Sequence, residues 1–164
     1  MNKKFFTLLL LIICFVGWVQ AGSIEKKLKR KIPSLVKIEV IEHDSHFKEA
    51  FDLRITQWLD HNDHTKGTFE HRLFLKHYDV KAPMVLITSG YTGSARTREL
   101  SRILKANQLV VEFRYFGESV PEPRDWEYLS NRQAIEDLHR IAEQFKKVYK
   151  GPWVASGTSK GGIQ

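Results

Sequence analysis

Trp153-Val154-Ala155-Ser156-Gly157-Thr158-Ser159-Lys160-Gly161-Gly162 decides how this chain is read. A short apolar run enters a segment of the form G-x-S-x-G. Such a run, bounded by turn residues, reads as a strand buried on both faces of a sheet. A strand leading directly into G-x-S-x-G is the setting in which the motif carries chemistry. The glycines allow a tight turn whose middle residue adopts strained backbone angles. That turn lifts the Ser159 hydroxyl above the sheet edge. It also points the Lys160 backbone N–H toward the same space, where an oxyanion would form. The residues alone also permit a plain glycine-rich turn with a bystander serine.

Working upstream, Ser130 to Tyr149 reads as the clearest helix. Ser130 and Gln133 have capping-box spacing. Ala134, Ile135, Leu138, Ile141, Ala142, Phe145 and Val148 form one apolar stripe. Lys146, Lys147 and Lys150 suit the negative end of the helix dipole, and Gly151-Pro152 is the expected stop. Leu109 to Phe113 and Met84 to Ile87 are further buried-type strands. Between them lie a glycine-bearing loop, 89–93, and a short helical pattern, 98–105. Alternating strands and helices of this kind predict right-handed crossovers in a parallel sheet. Ahead of Pro83 the pattern differs. Leu35 to Ile41 and the run through Phe51, Leu53, Ile55 and Trp58-Leu59 read as strands. A polar turn at 60–67 then leads to a hairpin partner over Thr68 to Tyr78. The fold class is therefore α/β, with an antiparallel start to the sheet.

Composition bounds the rest. The chain has 164 residues, 42% hydrophobic and 27% charged, with one Cys. Disordered, collagen-like and disulfide-scaffold classes are excluded. Residues 1–21 read as a secretory signal peptide, with Lys3 and Lys4 before an apolar run and Val19-Gln20-Ala21 as the cleavage site. Cleavage there removes the Cys and two of the 26 basic residues, leaving 24 against 19 acidic ones. A secreted or periplasmic location and no stable membrane association after cleavage are the expectations. The basic block Lys26 to Lys31 reads as a solvated, mobile leader. With no aromatic interleaving and no binding motif, nucleic acid is not an expected partner.

The remaining chemistry is sparse. A second oxyanion donor is expected from the loop after an earlier strand, and the Tyr91 N–H occupies that place, with Gly90 leaving room for substrate. A serine nucleophile needs a His base and an orienting carboxylate. Five residues follow Ser159, and none is Asp, Glu or His. His43, His46, His61, His64, His71, His77 and His139 read as surface or packing residues. His61, Asp63 and His64 in a turn are weak grounds for a metal site, so neither metal nor cofactor is expected. The chain reads as an N-terminal fragment that stops inside a βα unit.

The ordered run of motifs resembles peptidase family S37, the secreted tripeptidyl aminopeptidases. It comprises Trp58-Leu59-Asp60-His61-x-Asp63, then Gly67-Thr68-Phe69 and Arg72, and the strand from Pro83 into Gly90-Tyr91. Glu112-x-Arg114-Tyr115-Phe116-Gly117-Glu118-Ser119 is similar to a stretch shared by that family and its S28 relatives. Trp126-x-Tyr128-Leu129, Gln133-Ala134, Asp137 and Gly157-x-Ser159-Lys160-Gly161-Gly162 complete it. The resemblance implies an α/β-hydrolase fold, truncated just after the nucleophile elbow. Residues 22–164 would form the N-terminal part of the catalytic domain, without cap domain, catalytic acid or His. It implies a serine exopeptidase that releases short peptides, tripeptides foremost, from free N-termini through an acyl-enzyme, the fragment alone being inactive. A secreted esterase or lipase, and a vestigial non-catalytic domain, remain the alternatives. Phe113 stands where the family has His, and Ser89 where it often has Glu. Glu112 and Glu118 are the carboxylates left near the site, either to hold a substrate ammonium or to pair with Arg114 or Arg124.

Overall fold

Period-two alternation builds the sheet from its first hairpin. Strand β2 (Glu49–Trp58) sends Phe51, Leu53 and Ile55 to one face and Asp52 and Arg54 to the other. Strands β1 (Leu35–Val40) and β3 (Thr68–His77) flank it antiparallel. In this computed structural model, which describes residues 24–163, three further strands extend the sheet: β4 (Met84–Thr88), β5 (Asn107–Val111) and β6 (Trp153–Gly157). The strand order is β1-β2-β3-β5-β4-β6. Strand β4 runs parallel to both β5 and β6, and the other three pairings are antiparallel. The fold is thus mixed α/β, with a mostly antiparallel six-stranded sheet.

Helices cover both faces. A helix α1 over residues 24–31 and helix α3 (Asn131–Phe145) lie on the larger core. There Ile24, Leu28, Ile141 and Phe145 meet Phe51, Leu53, Leu73, Leu86 and Leu109. The five-residue helix α2 (Glu99–Ile103) belongs to the opposite face, where Leu100 packs on Phe74, Val85, Ile87 and Val110. The expected signal peptide lies outside the described residues. No helix among the described residues is long and apolar enough to cross a membrane.

Five expectations need correction. The basic block 26–31 is helical rather than a mobile leader. Its i, i+4, i+8 residues Ile24, Leu28 and Ile32 are buried and its lysines point outward, a stripe hidden by the charge count. Helix α2 is shorter than predicted, and Ile103 is 68% exposed. Helix α3 ends at Phe145, well before Gly151-Pro152, and Val148 and Tyr149 enter the core beyond its end. Its capping box is half-made. Ser130 Oγ accepts from Gln133 N at 3.2 Å, but the Gln133 amide reaches Asp60 and the His61 backbone. Finally, β6 is not buried on both faces: it borders the sheet among the described residues, and Val154 is 40% exposed.

Candidate active site

Strands β4 and β6 lie side by side, yet the chain leaves β4 toward β5 on the side away from β6. Their carboxyl ends therefore flank a point where the connections diverge, the usual place for a ligand crevice in an open α/β sheet. Thr88 is in register with Gly157 there. A cleft of about 360 Å³ opens at that point, lined by residues 87–92, Arg98, Leu100 and 156–158.

Ser159 follows β6 with φ +56°, a left-handed conformation rare outside glycine. For a residue with a Cβ it costs about 1–2 kcal/mol, which surrounding contacts must offset. Gly161 N donates to Thr158 O at 3.1 Å, and Thr88 Oγ1 donates to Gly161 O. The flanking glycines serve close approach. A Cβ on Gly157 would sit 2.2 Å from Gly161 O, and one on Gly161 would sit 2.1 Å from Thr88 O. The turn after β6 is folded onto the end of β4, and the serine side chain is left exposed.

The loop after β4 meets the same turn. A Cβ on Gly90 would lie 2.7 Å from Lys160 Cβ and 2.8 Å from Gly161 N. The side of Gly90 where a Cβ would stand is filled by Lys160-Gly161, and Gly90 also lines the cleft. Tyr91 O accepts from Phe113 N at 3.0 Å, tying this loop to the one after β5. Tyr91 is 55% exposed, and the Lys160 ammonium lies over its ring and those of Phe113 and Phe116.

Glu112 is completely buried. Its carboxylate accepts from Gly93 N, Glu118 N, Ser119 N and Ser119 Oγ at 2.8–3.1 Å. It braces the loops after β4 and β5 against each other. Neither Glu112 nor Glu118 pairs with the arginines expected from sequence. Glu118, half-exposed, pairs with Arg54 and Arg72, which also hold Asp52. Arg124 pairs with Glu122 at 3.5 Å.

Arg114 instead holds Asp137 of α3 through Nε at 2.7 Å and Nη2 at 2.8 Å. Its other donors reach the carbonyls of Trp58, Leu59 and Tyr128. His61 Nε2 joins Asp137 at 2.7 Å. Burial alone would raise the Asp137 pKa, but the hydrogen bonds from His61 and Arg114 outweigh it and hold the carboxyl below its ordinary value. Burial lowers the pKa of His71, outweighing the Asp137 charge and the hydrogen bond that its Nε2–H donates to Glu112 O at 2.6 Å. This hub joins the ends of β2 and β5 to α3. Asp137 and Arg114 both belong to the motifs that carry the family resemblance, but the sequence does not pair them with each other. Their signal was the coincidence of a buried-type Arg just after a strand and an Asp on the inner side of the helix.

The histidines lie elsewhere. His64 stacks on Trp58, while Asp63 caps the short turn that follows it. With His61 on Asp137, the three suspected metal ligands serve different partners. His77 faces the Tyr149 hydroxyl at 3.2 Å, His46 stacks on Tyr78, and His139 is exposed on α3. No histidine lines the cleft among the described residues.

Comparison with known proteins agrees with this geometry. Residues 20–164 match the family model described as PS-10 peptidase S37. A prolyl tri/tetrapeptidyl aminopeptidase from Streptomyces mobaraensis is 39% identical over 135 residues, which cover 81% of this chain and 28% of that relative. The match thus involves well under two thirds of the relative's length. A strained serine after β6, close-packed glycines around it, and a family match across all the described residues lead to one conclusion: the chain belongs to the S37 peptidase family.

Proposed function

We propose that Ser159 is the nucleophile of a secreted or periplasmic serine exopeptidase with an α/β-hydrolase fold, which removes short peptides from free N-termini. The observation that carries this reading is the left-handed Ser159 between β6 and a turn packed on the Gly90-Tyr91 loop. The name of the relative, a tri/tetrapeptidyl aminopeptidase, supports the substrate class.

Ser159 Oγ attacks the scissile carbonyl as its proton passes to a His base, which returns that proton to the leaving amine as the C–N bond breaks; water then hydrolyses the acyl-enzyme and frees the short N-terminal peptide. The backbone N–H groups of Lys160 and Tyr91 receive the developing oxyanion. Loss of one such donor raises the barrier by about 2.7–4 kcal/mol. We assign the His and its carboxylate partner to parts of the protein beyond this chain, following the order Ser, acid, His of that fold. The 164 residues alone are then inactive. A free substrate ammonium calls for a carboxylate, because burying that charge unpaired is costly. Glu118, paired with Arg54 and Arg72 but with its side chain half in solvent, is the more accessible carboxylate for that task; Glu112 is buried and accepts four hydrogen bonds.

The test is hydrolysis of tripeptidyl chromogenic substrates, with free and acetylated N-termini, by the full-length protein and its Ser159→Ala variant. Turnover of the free-amine substrate that Ser159→Ala abolishes is the expected result. Turnover that survives Ser159→Ala would remove the nucleophile assignment. Equal cleavage of the acetylated substrate would remove the exopeptidase assignment.

A further inference from the structure

The residue after the nucleophile carries a side chain with its own site. Lys160 Nζ lies 4.0 Å from the centre of the Phe113 ring, 4.9 Å from that of Phe116 and 5.3 Å from that of Tyr91. The rings contact one another edge to face, Tyr91 with Phe116 at 5.2 Å and Phe113 with Phe116 at 5.9 Å. Phe113 is buried and Tyr91 forms the open wall. An ammonium among three ring faces is attracted to each, and more strongly where water is excluded.

The walls belong to two loops. Tyr91 follows β4, and Phe113 and Phe116 follow β5. The cation belongs to the turn after β6. One side chain therefore joins three strand ends, and its Cβ is the atom that a Cβ on Gly90 would meet at 2.7 Å. We infer that the Lys160 side chain is a positioning residue, whose caged ammonium sets the spacing between the N–H donors of Lys160 and Tyr91. This rests on Ser159 being the nucleophile. Donors aimed at a developing oxyanion act through their placement, and misplacement by about 1 Å can cost a hundredfold in rate.

The test compares Lys160→Met and Lys160→Arg in the full-length protein, beside Ser159→Ala. Methionine keeps the length and apolar stem and removes the charge. Arginine keeps the charge and stacks on aromatic faces. The expected result for Lys160→Met is a kcat lowered about tenfold with KM within about twofold, and for Lys160→Arg a kcat restored to within about threefold. A purely structural role predicts no rescue by charge and no separation of kcat from KM. Tyr91→Leu opens the exposed wall without touching the core, and it decides the matter if Lys160→Met does not fold. Its kcat should fall in the same sense with KM unchanged. A kcat within about twofold of wild type in Lys160→Met or, failing its folding, in Tyr91→Leu overturns the inference, as does equal impairment of the Arg and Met variants. Those results leave the nucleophile assignment standing if Ser159→Ala is inactive. Survival of turnover in Ser159→Ala identifies failure of the underlying reading instead.

Discussion

Asp137→Asn is the sharpest probe of the scaffold behind the site. Asp137 and Arg114 are 1% and 0% exposed. The carboxylate receives two N–H groups from Arg114 at 2.7 and 2.8 Å and faces His61 Nε2 at 2.7 Å. Asparagine has nearly the same volume, so no cavity forms. It does put an amide NH₂ where an oxygen accepted, against a donor of Arg114 or His61. The guanidinium is then left buried without its counter-charge. Removing one partner of a buried pair typically costs about 3–5 kcal/mol. Arg114 keeps the carbonyls of Trp58, Leu59 and Tyr128, so the lower end, about 3 kcal/mol, is expected. That is a large share of the roughly 5–15 kcal/mol that holds a typical domain folded. Urea denaturation followed by tryptophan fluorescence at pH 7 measures it. Acid supplies a second signature. The folded-state pKa of Asp137 is depressed, so its contribution is complete above the unfolded value near about 3.9 and is lost as pH falls through the folded value. Wild type should lose stability below about pH 4 more steeply than Asp137→Asn does. The double variant Arg114→Met, Asp137→Leu should recover part of the loss, since no charge remains stranded. A cost below about 1 kcal/mol for Asp137→Asn at pH 7 would refute the account of a paired, desolvated hub.

Two further outcomes follow from the same geometry. Burial, aided by the nearby Lys48 charge, pushes the pKa of His77 down to about 4 from 6.5, so the folded state takes up its proton less readily than the unfolded chain. Stability tied to the neutral ring is full above pH 6.5 and declines as pH falls from 6.5 toward about 4; His77→Gln should flatten urea midpoints across that window, and an unchanged slope would contradict the assignment. Gly161→Ala drives a Cβ to within 2.1 Å of the Thr88 backbone carbonyl, whereas Gly162→Ala meets nothing closer than 3.3 Å. Labelling of Ser159 by a fluorophosphonate in the full-length protein should therefore drop at least about tenfold for the first variant and change little for the second, and equal labelling would show that the turn does not depend on that contact.

How much was readable beforehand depends on the range of the interaction. The strands 35–40, 49–58, 68–77 and 84–88 and the start of α3 follow from alternation, apolar runs and a serine cap, all of which act within a few residues. The turn at Ser159 was equally legible, because two glycines spaced around a serine after a strand is a local arrangement. Helix α1 is hidden in the sequence because three buried apolar residues sit among five basic ones, and only the core they enter reveals them.

Partnerships across the chain had no such local signal. The insertion of β5 between β3 and β4 and the parallel pairing of β4 with β6 are choices of neighbour, and the second brings the ends of β4 and β6 together. Gly90, which lines the cleft, also makes room for Lys160-Gly161, 70 residues later in the chain. Glu112 and Arg114 each suggested an ion pair with the other's neighbourhood. Once burial removed water, Glu112 took the backbone donors of its own loops and Arg114 took the carboxylate of Asp137 on α3. Residue type and spacing thus determine which segments become strands, helices and an elbow, because those choices are settled by local sterics and periodic burial. Which buried charge meets which, and which rings surround Lys160, is decided only when distant segments are desolvated together, since the energy of those contacts belongs to pairs that no single segment contains.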